Sequence, residues 1–200
     1  MIQHNRKLLN LRNIASGIFS SLSLLLVMTL LLGIIYPLMV TAVTQIAFPD
    51  QANGSLIVRD GKVIGSKLLG QKFTENKYFW GRLSENNYDS TNSGGTNLSI
   101  ANPKLLEAVN VRVEQLKKAD PDNKDRIPVD LVTASASGLD PHISLAAAQY
   151  QVGRVAKSRG MEADELNELI NKHIDWQSKF SEDPYVNVLE LNLALDELKK

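Results

Sequence analysis

The sequence contains no cysteine, which removes disulfides, thiolate-bound zinc and thiol nucleophiles from consideration. That absence does not fix a compartment, because a domain of about 150 residues folds on a hydrophobic core without cross-links. No acid precedes Asp50, and no charge of either sign occurs from Asn13 to Pro49; the bases ahead of that gap are Arg6, Lys7 and Arg12. All 22 acids and all but three of the 22 bases follow it, leaving the rest of the chain at a net charge of −3. A nucleic-acid binder needs a basic face or stripe, so this charge distribution argues against that class.

What fills the uncharged gap is apolar. Phe19–Leu38 is mostly Leu, Ile, Val and Met, with Leu24, Leu25, Leu26, Leu30, Leu31, Leu32 and Leu38 among its members. As a helix, about 20 residues reach roughly 30 Å, the hydrocarbon thickness of a bilayer. In water the same segment would need burial on every face. A cleaved signal peptide is the competing reading, with Met1–Arg12 as its positive n-region and Val40-Thr41-Ala42 as a cleavage site. Signal h-regions run about 7–15 residues, and this stretch is far longer, so a retained anchor is the expectation. Arg6, Lys7 and Arg12 then stay cytoplasmic by the positive-inside rule. The expected organisation is a cytoplasmic N-terminus over 1–13, a membrane-spanning helix and its exit over 14–48, and an extracytoplasmic (periplasmic) domain over 49–200. Ser16, Ser20 and Ser23, with Gly17 and Ser21, form a face of small residues. It suits close approach of another helix, or faces lipid headgroups.

In the outer part, Leu56–Val58 and Val63–Ser66 flank Arg59-Asp60-Gly61-Lys62, a β-hairpin pattern whose Asp-Gly pair accepts positive φ. Tyr78, Phe79 and Trp80 lie in an extended, partly buried run over 77–82. Residues 86–96, rich in Asn, Ser and Gly, form a loop with Gly94-Gly95 as its most flexible point. Asn102-Pro103 starts a helix whose apolar face is Leu105, Leu106, Val109, Val113 and Leu116. Val129–Ala134 reads as a strand. Ser144 caps a helix over 145–159, with Leu145, Ala148, Val152 and Val155 inward and Gly160 at C′. Another helix fits 163–173. In the last segment Leu189, Leu191, Leu193 and Leu195 alternate like a strand, while Val188, Leu191, Leu195 and Leu198 have helical spacing. The Asn187 cap and the helix-forming composition favour helix. The fold class is α+β: a single N-terminal transmembrane helix followed by one extracytoplasmic α+β domain.

Chemistry-bearing patterns are few. Residues 65–72 nearly match a phosphate-binding loop, but Gln71 stands where lysine is required. Tyr, Trp and Asn around 78–88 suit either a sugar-like site or a buried aromatic cluster. In Thr133–Ser144, Asp140 and His142 could ligate a metal, or act as base and orienter with Ser135 or Ser137. Metal sites need three or four ligands, and no other histidine is near in sequence. The plainer reading is a hydrogen-bonded turn in which Ser135, Ser137 and Asp140 cap backbone N–H groups.

Taken in order, the motifs become specific. Tyr36-Pro37-Leu38, Phe48-Pro49 with Gln51-Ala52-Asn53-Gly54-Ser55-Leu56, Gly65-Ser66 with Leu68, Gly70-Gln71 and Phe73, and Tyr78-Phe79 with Gly81-Arg82 open the series. Ser93-Gly94-Gly95 with Asn97-Leu98, Thr133-Ala134-Ser135 with Ser137-Gly138-Leu139-Asp140-Pro141-His142-Ile143-Ser144, Gln151-Val152 with Arg154-Val155-Ala156, and Asn187-Val188-Leu189 with Leu191-Asn192 complete it. Together they resemble the C subunit (KdpC) of the Kdp potassium-transporting P-type ATPase, from the span to about Asp196. Leu83, Ala136 and Leu145-Ala146 depart from the family pattern, where Pro, Gly and Pro-Glu are common.

The resemblance implies an accessory subunit in the cell inner (plasma) membrane. Its implied partners are a channel-like A subunit, an ATP-hydrolysing B subunit and a small F peptide, besides the lipid bilayer. It also implies a catalytic chaperone that raises the B subunit's affinity for ATP. No catalytic, metal or tightly bound cofactor site is expected in this chain; ATP enters through the partner. The sequence carries no Asp-Lys-Thr-Gly phosphorylation motif. Ser135, Ser137, Gly138, Asp140, Pro141, His142 and Ser144 are expected to form a structural and assembly motif, with no identifiable partner for the His142 imidazole. Direct nucleotide contact would fall to Gln149 and Gln151; otherwise these sit on a solvated helix face. The alternative is a membrane-anchored periplasmic enzyme or solute-binding domain using Arg82, Asp140 and His142.

Overall fold

The computed structural model describes the backbone of residues 2–198 and the side chains of 13–198; the side chains of His4, Arg6, Lys7 and Arg12 lie outside the described residues. The chain divides into two compact units, Met1–Gly54 and Ser55–Lys200.

The first unit is helical: α1 (Ile2–Leu30), a π-helical turn (Leu31–Ile35), α2 (Tyr36–Ala47) and the short α3 (Pro49–Ala52). Over Asn13–Ala47 the helix runs 35 residues, long and apolar enough to cross a membrane, and none of its side chains is buried within the chain. Tyr36-Pro37 does not end it. Pro37 cannot donate to the carbonyl of Gly33 and its ring crowds that carbonyl. The wider turn just before it relieves the conflict, with Tyr36 N–H bonded five residues back to Leu31 O. The hydroxyls turn onto the helix backbone: Ser20 donates to Ser16 O and Ser21 to Gly17 O, each at 2.9 Å, and Thr41 to Pro37 O at 2.8 Å. Polar groups satisfied within the helix are the form a bilayer tolerates.

The second unit opens with the expected hairpin, β1 (Leu56–Arg59) against β2 (Lys62–Ser66), antiparallel. Asp60 (φ 51°) and Gly61 (φ 73°) take the positive φ values its tight turn requires. Helix α4 (Pro103–Ala119) starts where Asn102 accepts from Lys104 N. Of its apolar face only Leu116 is buried; Leu106 remains 64% exposed.

Residues 129–134 do not form the expected strand. Val129–Leu131 is a 3₁₀ turn after Pro128, with Leu131 buried and Val129 exposed. The Asp130 carboxylate accepts from Ser144 N (2.7 Å) and Ser144 Oγ (3.2 Å), a tertiary tie that overrides β propensity. Only Ala134 makes a bridge, to Leu83. Two short strands absent from the sequence reading, β3 (His142–Ser144) and β4 (Tyr185–Asn187), pair antiparallel.

Ser144 caps the next helix by accepting from Ala147 N. That helix is two pieces, α5 (Leu145–Tyr150) and α6 (Val152–Arg159), because Gln151 N–H bonds Ala148 O three residues back while its side chain is drawn inward. Gly160 (φ 64°) closes α6, α7 spans Ala163–Lys172, and α8 spans Val188–Glu197 as a helix. Asn187 caps α8 by accepting from Leu189 N and Glu190 N. The core is Phe79, Leu131, Ile143, Ala147, Val155, Leu166, Ile170, Val186, Leu191 and Leu195.

Candidate functional site

The expected extended run over 77–82 begins instead in a turn, Tyr78 N–H bonding Glu75 O at 3.1 Å, and only from Phe79 does segment 76–81 run on irregularly into the core. Phe79 is fully buried and Trp80 nearly so, yet no strand lies beside them. Their backbone groups are met by side chains instead. Asn192 accepts from Phe79 N (2.8 Å) and donates to Phe79 O (2.9 Å). Gln151 does the same for Trp80, accepting from N (2.8 Å) and donating to O (3.1 Å). Arg154 donates to Asn76 O and Tyr78 O, Arg159 to Lys77 O, and Arg112 to Gly81 O. Two amides and three guanidinium groups thus take the place of neighbouring strands, satisfying backbone groups that burial would otherwise penalise. Arg154 also lies 4.3 Å from the Trp80 ring centre and bonds Gln151 Oε1. Burial pushes its guanidinium down to about 10.

This corrects the reading of Gln151. It is buried and fully bonded, neither solvated nor free to touch a nucleotide; Gln149, by contrast, is exposed. Asn192 and Arg154 stand in the sequence motifs, but no role was read for either from the sequence. Their signal was a polar residue on an apolar stripe: Val188, Leu191, Asn192 and Leu195, and likewise Ala147, Gln151, Arg154 and Val155, share one helical face.

Beside this segment lies Ser135–Ser144. Ser135 Oγ accepts from Gly138 N (3.2 Å) and Ser137 Oγ from Leu139 N (3.1 Å). Gly138 has φ 70°, and a Cβ there would meet Asn86 Oδ1 at 2.6 Å. Ser84 Oγ donates to Gly138 O, and Gly94 N to Ser137 O. Gly95 approaches so closely that a Cβ would meet Ala136 O at 2.8 Å. Of the pair expected as a flexible point, Gly95 therefore packs closely against the motif, and Gly94 is tied to it through its N–H. Pro141 O accepts from Val188 N, and Leu139 O from Gly70 N.

Asp140 sits at the crossing of these contacts. Its Oδ1 accepts from His142 N (3.0 Å) and its Oδ2 from Arg82 Nη1 (3.1 Å). Burial raises its pKa, but the His142 ring, the His142 N–H and Arg82 outweigh that and hold it below the ordinary value. The His142 imidazole does have partners: Nδ1 is 3.5 Å from Asp140 Oδ1, and the ring meets Tyr185 edge-on at 4.7 Å. Arg82, Asp140 and His142 are thus brought together, around an open cavity of about 280 Å³ shared with Tyr185. Every one of them bonds within the chain. Among the described residues no group of three His, Asp or Glu side chains is placed to hold a metal ion.

The near phosphate-loop resolves into packing. A Cβ on Gly65 would meet Gln71 Nε2 at 2.3 Å, and Gln71 donates to Ile64 O. The aromatic run at 78–80 is the buried cluster, not an open sugar-like face.

The family model for the K+-transporting ATPase c chain, KdpC, matches residues 18–197. The chain belongs to the KdpC family. Relatives described as potassium-transporting ATPase KdpC subunits include one from Dechloromonas aromatica (strain RCB), 50% identical across 90% of this chain and 96% of the relative. Another, from Polaromonas naphthalenivorans (strain CJ2), is 52% identical across 90% and 93%. A third, from Methylibium petroleiphilum, is 53% identical across 88% and 95%. The KdpC match covers both units, from within α1 through α8.

Proposed function

We propose that this chain is the accessory, non-hydrolysing C subunit of an ATP-driven potassium uptake complex in the inner membrane. The observation that carries the reading is the match at about half identity over nine-tenths of the chain, together with one helix fit to span a membrane. In this reading the helix anchors the chain, residues 1–13 stay cytoplasmic, and the second unit lies outside the cytoplasm over the channel-like A subunit. Arg6, Lys7 and Arg12 support that orientation. The ATP-hydrolysing B subunit and the small F peptide complete the assembly.

The effect on the B subunit's ATP affinity is then indirect, carried through helix packing in the membrane. The buried, bonded state of Gln151 supports the indirect route. The test compares ATPase activity of the purified complex with and without this chain over a range of ATP concentrations. The expected result is a higher KM for ATP without it, at an intact B subunit. An unchanged KM and an unchanged maximal rate overturn the proposal.

A further inference from the structure

The second unit holds a cavity of about 400 Å³ lined by Lys72, Arg82, Arg112, Asn87, Tyr88 and Gln115, among others, with no carboxylate in its wall. Arg112 is the telling residue. Its Nε donates to Leu131 O (3.0 Å), its Nη2 to Gly81 O (3.2 Å), and its guanidinium lies 5.1 Å from the Trp80 ring centre. That framework fixes the fork and leaves Nη1 uncommitted. Among the described residues no carboxylate pairs with Arg112 or with Lys72, whose ammonium bonds only Asn87 Oδ1 at 2.8 Å. Arg82 is committed to Asp140 through Nη1, yet its Nε is buried with no acceptor. Desolvation lowers the Arg112 pKa, the mark of a cation held away from water without its counter-charge. Elsewhere in the unit a buried guanidinium does have its carboxylate: Arg159 pairs with Asp196.

We propose that this cavity is a phosphate-binding site, in which Arg112 and Lys72 hold the oxyanion and Asn87 and Gln115 offer side-chain amides to it. A rigid guanidinium fork and an ammonium lining one cavity suit the several acceptor oxygens of a phosphate. The phosphate is either free in solution or part of a lipid headgroup, since both present the same group.

The test uses the full chain in neutral detergent. Its tryptophans are Trp80 and Trp176, so Trp176→Phe leaves Trp80, under Arg112, as the reporter. Inorganic phosphate is titrated at ionic strength balanced with chloride. A second arm titrates short-chain phosphatidylglycerol against the matching diacylglycerol. A saturable change in Trp80 emission is expected with phosphate, or with phosphatidylglycerol alone if the headgroup is the source, and none with chloride or diacylglycerol. Lys72→Gln, at an exposed position that leaves the Arg112 framework intact, is expected to weaken binding about tenfold or more, the worth of one charge-assisted bond. No saturable change in either arm, or equal affinity in Lys72→Gln, overturns the proposal.

Discussion

Asn192 and Gln151 each do for one residue what a strand does for several. Replacing Gln151 with Ala leaves Trp80 N and O without partners and Arg154 short of an acceptor, so a cost of roughly 3 kcal/mol or more is expected. Urea denaturation of the full chain in detergent measures it; a cost under about 1 kcal/mol would show the amide is dispensable. Asp140 gives a pH-dependent counterpart. Its pKa is depressed in the folded chain, so its contribution is present above the unfolded carboxylate value, about 4, and is lost as pH falls through the lower folded value. Thermal stability below pH 4 should therefore fall less steeply in Asp140→Asn than in the parent, and an identical acid slope would contradict the assignment. The capping residues Asn102, Ser144 and Asn187 were legible in the sequence because a cap acts on N–H groups two or three residues away. The amide of Gln151 was not, because its partner is 71 positions distant.

At the scale of elements, what the sequence revealed was again what is local. The hairpin was readable from Asp60-Gly61, and α8 from its cap and composition. Strands β3 and β4 were not, since three-residue strands from distant positions carry no periodicity to read. The Val129–Ala134 run had β-branched composition, but only its last residue, Ala134, found a neighbour to pair with, Leu83. The membrane helix invites its own test. A Cβ on Gly17 meets nothing within 4 Å, so Gly17→Leu adds bulk that this chain accommodates by itself. Gly17→Leu and Ser20→Leu are expected to leave the chain folded while reducing recovery of companion subunits in a detergent pull-down. Undiminished recovery with both would mean that the small-residue face looks at lipid. In the hairpin, Gly61→Ala forces a side chain into φ 73° and should lower stability by about 1 kcal/mol, read from the thermal midpoint.

For the whole molecule, topology is the first thing to measure. A reporter active only in an oxidising exterior compartment, fused after Lys200, should be active, and a cytoplasmic reporter at the same place silent; the reverse pattern would invert the proposed orientation. The way segment 76–81 is held also sets an order of events during folding. Its ties reach Gln151 and Asn192 across 71 and 113 positions, so large loops must close before they form. They also need α5, α6 and α8 already wound, since the amides are aimed only from finished helices. The segment is thus expected to dock last, after the rate-limiting ensemble has formed. Asn192→Ala should then speed unfolding by nearly its full equilibrium cost while leaving the folding rate almost untouched. On that outcome its bonds guard the exit from the native state and play no part in the approach to it.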